Sequence, residues 1–221
     1  MAIQKAEAVV LRAENFREQS LLIDLYTREF GKIRGLVKGR RFIPSPCYTE
    51  IIFYPQRSGL HFISEYTLRK SFAGLNKSLL CLGAGNYFAE LVNRLTFPEH
   101  KNEQLFHLLL FSLCFLVGLE EPREEQIKHL ILIFEIKTLT SLGLFPSLEK
   151  EGELGMKENE FLPGTLSCLR YLKREGVQKG LLLKINGQMR EQIEKFVGHL
   201  LSTHLPEKMR SREFLERCIT R

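Results

Sequence analysis

Lys32, Arg34, Lys38, Arg40 and Arg41 fall within ten consecutive positions of the 221-residue chain. The stretch Lys32-Ile33-Arg34-Gly35-Leu36-Val37-Lys38-Gly39-Arg40-Arg41 reads as a β-strand. In an extended segment side chains alternate, and same-face neighbours stand roughly 6.6 Å apart, twice the strand rise. Lys32, Arg34, Lys38 and Arg40 then share one face with Leu36 between them, while Ile33, Gly35 and Val37 line the other. A regular row of cations on a rigid sheet suits a phosphate backbone, because the side chains need little further ordering to meet it. The plain alternative is a solvated strand face. Arg57 and the pair Arg69-Lys70 stand at the ends of neighbouring strands and would flank the row. Tyr26, Tyr48, Phe53, Tyr54 and Tyr66 supply rings that can stack on bases at about 1–3 kcal/mol each. Half of any barrel strand must fill the interior, so one or two of the five are expected as exposed platforms. Nothing offers a base-reading code, so binding is expected to be independent of sequence.

Other chemistries find little support. His61, His100, His107, His129, His199 and His204 form no recognisable pair with Cys or Ser in a nucleophile motif. Gly31, Gly35 and Gly39 recur every four residues but lack the strand-then-helix context of a phosphate loop. The run Glu120-Glu121-Pro122-Arg123-Glu124-Glu125 is better explained as a helix N-terminus that favours negative charge than as a metal site. Cys47, Cys81, Cys114, Cys168 and Cys218 are odd in number and widely spaced, which is neither a disulfide framework nor a zinc signature. Free thiols in a reducing cytoplasm are expected, and an enzyme, a cofactor and a metal are not.

Composition adds where a polyanion would bind. The net charge is +6 and the sequence pI about 9.1, with 44% hydrophobic and 26% charged residues and no Trp. Residues 1–78 carry 13 Lys and Arg against 7 Asp and Glu, residues 79–170 carry 8 against 13, and residues 171–221 carry 11 against 6. Basic ends around an acidic middle place a polyanion at the ends. Glu7, Arg12 and Glu14 interrupt any apolar N-terminal run, so no signal-peptide pattern is present. The apolar stretch Leu105–Leu119 is shorter than the ~20 residues of a membrane span and is expected as a buried core helix.

The elements that must position these residues change type along the chain. Strands are predicted over Ala6–Leu11, Ser20–Tyr26, the basic stretch, Tyr48–Tyr54 and Leu60–Leu68, with Phe42–Cys47 as a Pro-bearing loop. Five short strands suit a small closed or nearly closed barrel. From about residue 77 the apolar period becomes helical. Helices are predicted to end before Pro98, over Asn102–Val117, over Glu124–Leu142 with Gly143 as C-cap, after Pro163, over Gly187–Leu201, and after Ser211 as N-cap. The Leu130–Phe134 run is apolar all round and predicts a central buried helix. Residues 145–162 read as an acidic loop.

With these residues in hand, the chain resembles the RecO family of bacterial recombination mediators and DNA-repair proteins. The likeness is strongest in Ala8-Val9-Val10-Leu11, Glu18-Gln19-Ser20-Leu21-Leu22, Tyr26-Thr27-Arg28-Glu29-Phe30-Gly31 and Lys38-Gly39-Arg40-Arg41. Phe134-Glu135 with Leu142-Gly143-Leu144-Phe145-Pro146, and Lys208-Met209-Arg210-Ser211-Arg212, resemble later family segments. The resemblance implies an α+β chain: a five-stranded OB-fold barrel over residues 1–77 for DNA, then an all-α domain over 78–221. It implies binding of single- and double-stranded DNA, annealing of complementary strands, and help in replacing single-strand-binding protein with RecA, together with RecR, in the cytoplasm at the nucleoid. Many members carry a four-cysteine zinc site. Here no cysteine lies between Pro146 and Cys168, so the zinc-site region is degenerate and no metal is expected. The acidic C-terminal tail of single-strand-binding protein docks on the family's helical domain. The nearest cations here are Lys128 and Lys137, because Leu132 and Ile133 occupy the positions before Phe134-Glu135.

The leading expectation is a non-enzymatic DNA-binding mediator. Its contacts are Lys32, Arg34, Lys38, Arg40, Arg41, Arg57, Arg69 and Lys70, with Lys208, Arg210 and Arg212 extending the track. The rivals are an RNA-binding OB-fold protein, a protein-interaction scaffold and a metal-dependent hydrolase.

Overall fold

The computed structural model describes residues 2–16, 19–39, 42–148 and 161–219. Arg40 and Arg41, and the acidic residues 149–160 where a zinc site would stand, lie outside the described residues. Five strands come first: β1 (Gln4–Phe16), β2 (Ser20–Thr27), β3 (Gly31–Lys38), β4 (Cys47–Tyr54) and β5 (Leu60–Ser71). They close into a barrel in the order β1-β2-β3-β5-β4, with β3 and β5 parallel and the remaining pairs antiparallel. The expected barrel is thus present. β1 runs five residues beyond its predicted end, because residues 12–16 pair with β2 past an irregularity between Val10 and Arg12.

The interior follows from the period of two. Ala6, Ala8, Val10, Ile23, Leu25, Ile33, Val37, Ile51, Phe53 and Ile63 are buried together. Gly35 faces inward by strand phase, and the close approach there leaves no room for a side chain: a Cβ at this position would meet Ile63 Cγ1 at 2.6 Å. Gly31 has φ +71°, and a Cβ there would lie 2.1 Å from the His100 carbonyl oxygen, so the turn into β3 admits glycine alone.

After a 3₁₀ turn at Ala73–Lys77 come seven helices among the described residues: α1 (Leu79–Leu95), α2 (Glu103–Gly118), α3 (Glu124–Ser141), α4 (Thr165–Arg174), α5 (Val177–Leu182), α6 (Gly187–His204) and α7 (Arg210–Ile219). The Asn102 side chain caps α2 by accepting from the Leu105 N–H. Gly143, at φ +72°, ends α3 in a Schellman arrangement: Leu144 N–H bonds the Leu139 carbonyl and Gly143 N–H that of Thr140. No helix of the described residues is long and apolar enough to cross a membrane.

One described helix lies outside the predicted ones, and one expectation about a helix end needs correction. The short helix α5 was not foreseen, since six residues carry too little periodic signal. Ser211 is not an N-cap: α7 begins at Arg210, and the Ser211 N–H and hydroxyl both donate to the Glu90 carboxylate, at 2.9 and 2.5 Å. A carboxylate on α1 takes the serine that the local sequence offered as a cap.

The contacts divide the chain into two compact units, Met1–Glu124 with Lys208–Arg221, and Glu125–Glu207. This differs from a division by element type after residue 77. Val9 and Tyr26 pair across β1 and β2, are fully buried, and are absent from the barrel interior. They need outer cover, which α1 supplies by packing on β1 and β2, with α2 and α7 packed on α1. In the second unit His129 Nε2 lies 2.9 Å from the Gly180 carbonyl oxygen, and Phe145 and Phe161 each meet Phe196 edge-on at 5.8 Å.

Candidate nucleic-acid interface

The outer surface of β3 and its neighbours forms a grid set by strand register. One row crosses four strands through Leu22, Leu36, Phe62 and Tyr54, all half-buried. The next row runs Arg12, Asp24, Arg34 and Leu60 across β1, β2, β3 and β5. Lys38, opposite Ser20, stands beyond the first row and places its amine 5.4 Å from the centre of the Phe62 ring. Phe62 and Tyr54 lie side by side, their centroids 6.1 Å apart and their planes inclined by 31°. The face therefore offers aromatic surface bordered by cations, the two ingredients of single-strand binding.

The cations are not equally available. Lys32, Arg34 and Lys38 share the outer face with Leu36, as the alternation predicts. The Lys32 amine, however, donates to the Asn93 carbonyl in the last turn of α1 at 2.6 Å, and burial lowers its pKa. Lys32 thus holds β3 to the negative end of a helix. Arg34 Nε lies 3.2 Å from Asp24 Oδ1, with the arginine side chain 50% exposed and the aspartate 14%. Asn93 Nδ2 donates to the other Asp24 oxygen at 3.3 Å. Lys38 is exposed, and Arg57 stands exposed in the β4–β5 turn with no ion pair among the described residues.

Arg69 and Lys70 sit elsewhere. They are seven and eight residues beyond Phe62 on β5, on the order of 20 Å along the strand. Arg69 pairs with Glu50 at 2.9 Å, Glu50 also holds Lys5 at 3.1 Å, and the Lys70 amine lies 3.4 Å from Cys114 Sγ. They do not flank the β3 row. The C-terminal cations are closer than sequence distance implies. Arg94, next to Asn93, donates to the Lys208 carbonyl at 2.9 Å, so the start of α7 lies beside the α1 end that Lys32 caps. Lys208 is exposed and 4.0 Å from Glu213, Arg210 is exposed, and Arg212 pairs with Glu216 at 3.2 Å.

The aromatic residues sort by strand phase. Tyr26 and Phe53 are buried, and burial pushes the Tyr26 hydroxyl up to about 12. Tyr66 packs against the barrel core with its hydroxyl 3.0 Å from Cys47 Sγ. Tyr48 meets Phe106 of α2 at 6.4 Å. Tyr54 alone of the five joins the exposed grid. Its neighbour Phe62, outside the five, sits two residues after Leu60 and shares its strand phase.

At the mouth of this face lies an open groove of about 670 Å³, lined by Arg12, Phe16, Leu22, Arg34, Leu60 and Glu99 among others. It is built from β1, β2, β3, the β4–β5 turn and the segment after α1. That segment is fastened to β3 by the Glu99 N–H, which donates to the Lys32 carbonyl at 2.9 Å. No group of three or more His, Cys, Asp or Glu able to hold a metal ion occurs among the described residues.

In the second unit Lys128 lies 3.9 Å from Glu125. The Lys137 amine donates to the Lys173 carbonyl near the end of α4 at 2.8 Å, and burial lowers its pKa.

A five-stranded barrel of this strand order, followed by helices, is an OB-fold protein with a helical extension, and in such barrels the strand 2–3 face and the 4–5 loop are where oligonucleotides bind. Known proteins narrow the class further. The family described as "Recombination protein O N terminal" matches residues 1–72, and "Recombination protein O C terminal" matches residues 77–162. The "DNA repair protein RecO" of Pelotomaculum thermopropionicum is 30% identical, with 98% of this chain and 95% of that one covered. Its counterpart from Thermoanaerobacter is 24% identical, with 97% and 98% covered. The chain belongs to the RecO family of DNA repair proteins.

Proposed function

We propose that this protein is a non-enzymatic mediator of repair and recombination, acting in the cytoplasm at the nucleoid. It binds single- and double-stranded DNA without sequence specificity and anneals complementary strands. With RecR, it helps load RecA onto DNA coated by single-strand-binding protein. The observation that carries this reading is the β3 face: Arg34 and Lys38 border the Phe62–Tyr54 surface of an OB barrel in a RecO-family chain. Arg40 and Arg41 follow Lys38 in sequence, and Arg57 adds an exposed cation in the β4–β5 turn. Arg210, Lys208 and Arg212 extend the track along α7, whereas Lys32, Arg69 and Lys70 contribute charge from positions already engaged by the protein. Annealing follows physically, because cations that neutralise two strands at one surface remove the repulsion that keeps them apart. The helical residues before Lys208 serve partners, with Lys128 meeting the acidic tail of single-strand-binding protein and Lys137 steering at longer range.

Fluorescence anisotropy on a labelled single strand across a salt titration tests the reading. Lys38, Arg40, Arg41 and Arg57 make four phosphate contacts and Arg34, shared with Asp24, up to a fifth, for a log–log slope between about −2.8 and about −3.5 at about 0.7 per contact. A flat salt response, or unchanged affinity in a Lys38→Ala/Arg41→Ala variant, refutes it.

A further inference from the structure

Most polar groups in the groove beside β3 already have partners. Lys32 is on the Asn93 carbonyl, Asn93 on Asp24, Asp24 on Arg34, and Arg12 on Glu14. His61 is nearly buried: its Nδ1 accepts from the Gln56 N–H at 3.1 Å, so Nε2 carries the proton of the neutral ring. Burial lowers the pKa of that imidazole against the opposing pull of Glu99. Glu99 is the exception in the groove. Its carboxylate is 65% exposed and lies 3.6 Å from His61 Nε2, beyond good hydrogen-bonding distance. Its backbone is held at φ +60°, a conformation that costs a non-glycine residue energy and that the Lys32 carbonyl fastens in place.

A carboxylate with open acceptor capacity is out of place in a site for phosphate alone. It fits a site where a base edge also enters. Phe16, Leu22 and Leu60 supply apolar lining, and the volume falls in the range of small-molecule clefts. A paired, stacked base cannot enter such a concavity, whereas an unpaired one can. Arg12 and Arg34 at the rim offset the repulsion between Glu99 and the strand's phosphates. We propose that this groove takes one unpaired base of a bound single strand, and that Glu99 selects a base presenting an exocyclic amino group, cytosine over thymine. Cytosine offers its N4 amino group to a carboxylate, while thymine offers a carbonyl oxygen at the same place.

The inference rests on the DNA-binding reading, and competition between matched oligo(dC) and oligo(dT), at mildly alkaline pH where oligo(dC) stays single-stranded, separates the two. The wild-type protein should favour oligo(dC) by about fivefold, the worth of one net hydrogen bond. Glu99→Gln should abolish the preference and leave the salt slope unchanged. Ser58→Trp, which fills the groove mouth from an exposed turn, should also abolish it. Equal binding of both homopolymers with a steep salt slope, or a preference that survives Glu99→Gln, overturns the base pocket and leaves the DNA-binding reading standing. Absence of salt-dependent binding to either overturns both.

Discussion

Asp24→Asn should tighten single-stranded DNA binding. The aspartate lies opposite Arg34 in the β2–β3 register, with Oδ1 3.2 Å from Arg34 Nε. DNA that recruits Arg34 must compete with this pair. The arginine is half exposed, so solvent screens the interaction and its worth is up to about 1 kcal/mol. Releasing it gives at most about fivefold in affinity. Removal of the negative charge also lets Arg34 act as a full phosphate contact, steepening the log–log salt slope by up to about 0.7. Asparagine keeps an oxygen for the Asn93 side chain, which donates at 3.3 Å in the parent, so the α1 anchor is preserved. The assay is anisotropy with a labelled single strand at several salt concentrations, alongside thermal melting to confirm the fold. Affinity and slope unchanged in both Asp24→Asn and Arg34→Ala would remove Arg34 from the DNA path.

Phe62→Ala should weaken single-strand binding by about 1–3 kcal/mol per stacked base, and anisotropy should show the salt slope little altered, because stacking releases no counterions. Gly35→Val should lower the melting temperature through overpacking against Ile63, at a cost of about 1–3 kcal/mol. Cys47 should resist thiol reagents in the native protein: burial pushes its thiol from 9.0 up to about 11, against the smaller effect of Tyr66. Below pH 9 the thiol is neutral folded or unfolded, and its contribution to stability is complete. Between pH 9 and 11 the unfolded chain releases a proton that the folded one keeps, so the melting temperature should fall through that window. Cys47→Ser, or equal reactivity before and after unfolding, checks the assignment.

How much of the interface could be read in advance differs residue by residue. Lys38 and Arg34 were legible because strand phase is a local property, and the alternation of Ile33, Gly35 and Val37 against them is visible in eight residues. Lys32 has the same phase yet serves α1, since the carbonyl it meets belongs to Asn93, 61 residues away. Arg69 and Lys70 look adjacent to the basic strand when strands are drawn at equal length. β5 is twelve residues long, however, and carries them past the end of β3 to Glu50 and Cys114. Phe62 is not legible as a platform in the sequence, because a phenylalanine in a β-strand is more often core and its register with Leu36 and Tyr54 puts it outside. Ser211 shows the same limit at a helix end, where a carboxylate distant in sequence displaced a local cap.

Periodicity, turn residues and charge distribution were enough to establish five strands, six of the seven described helices and a cationic strand face, because these depend on neighbours within a few positions. Family membership likewise shows in the linear motifs between residues 8 and 41. Which cations remain available, which ring forms a platform, and that Glu99 overhangs a groove were decided by tertiary structure. Each depends on a pairing between atoms far apart in the chain, and burial, charge pairing and cavity shape exist only once register and helix packing bring those atoms together.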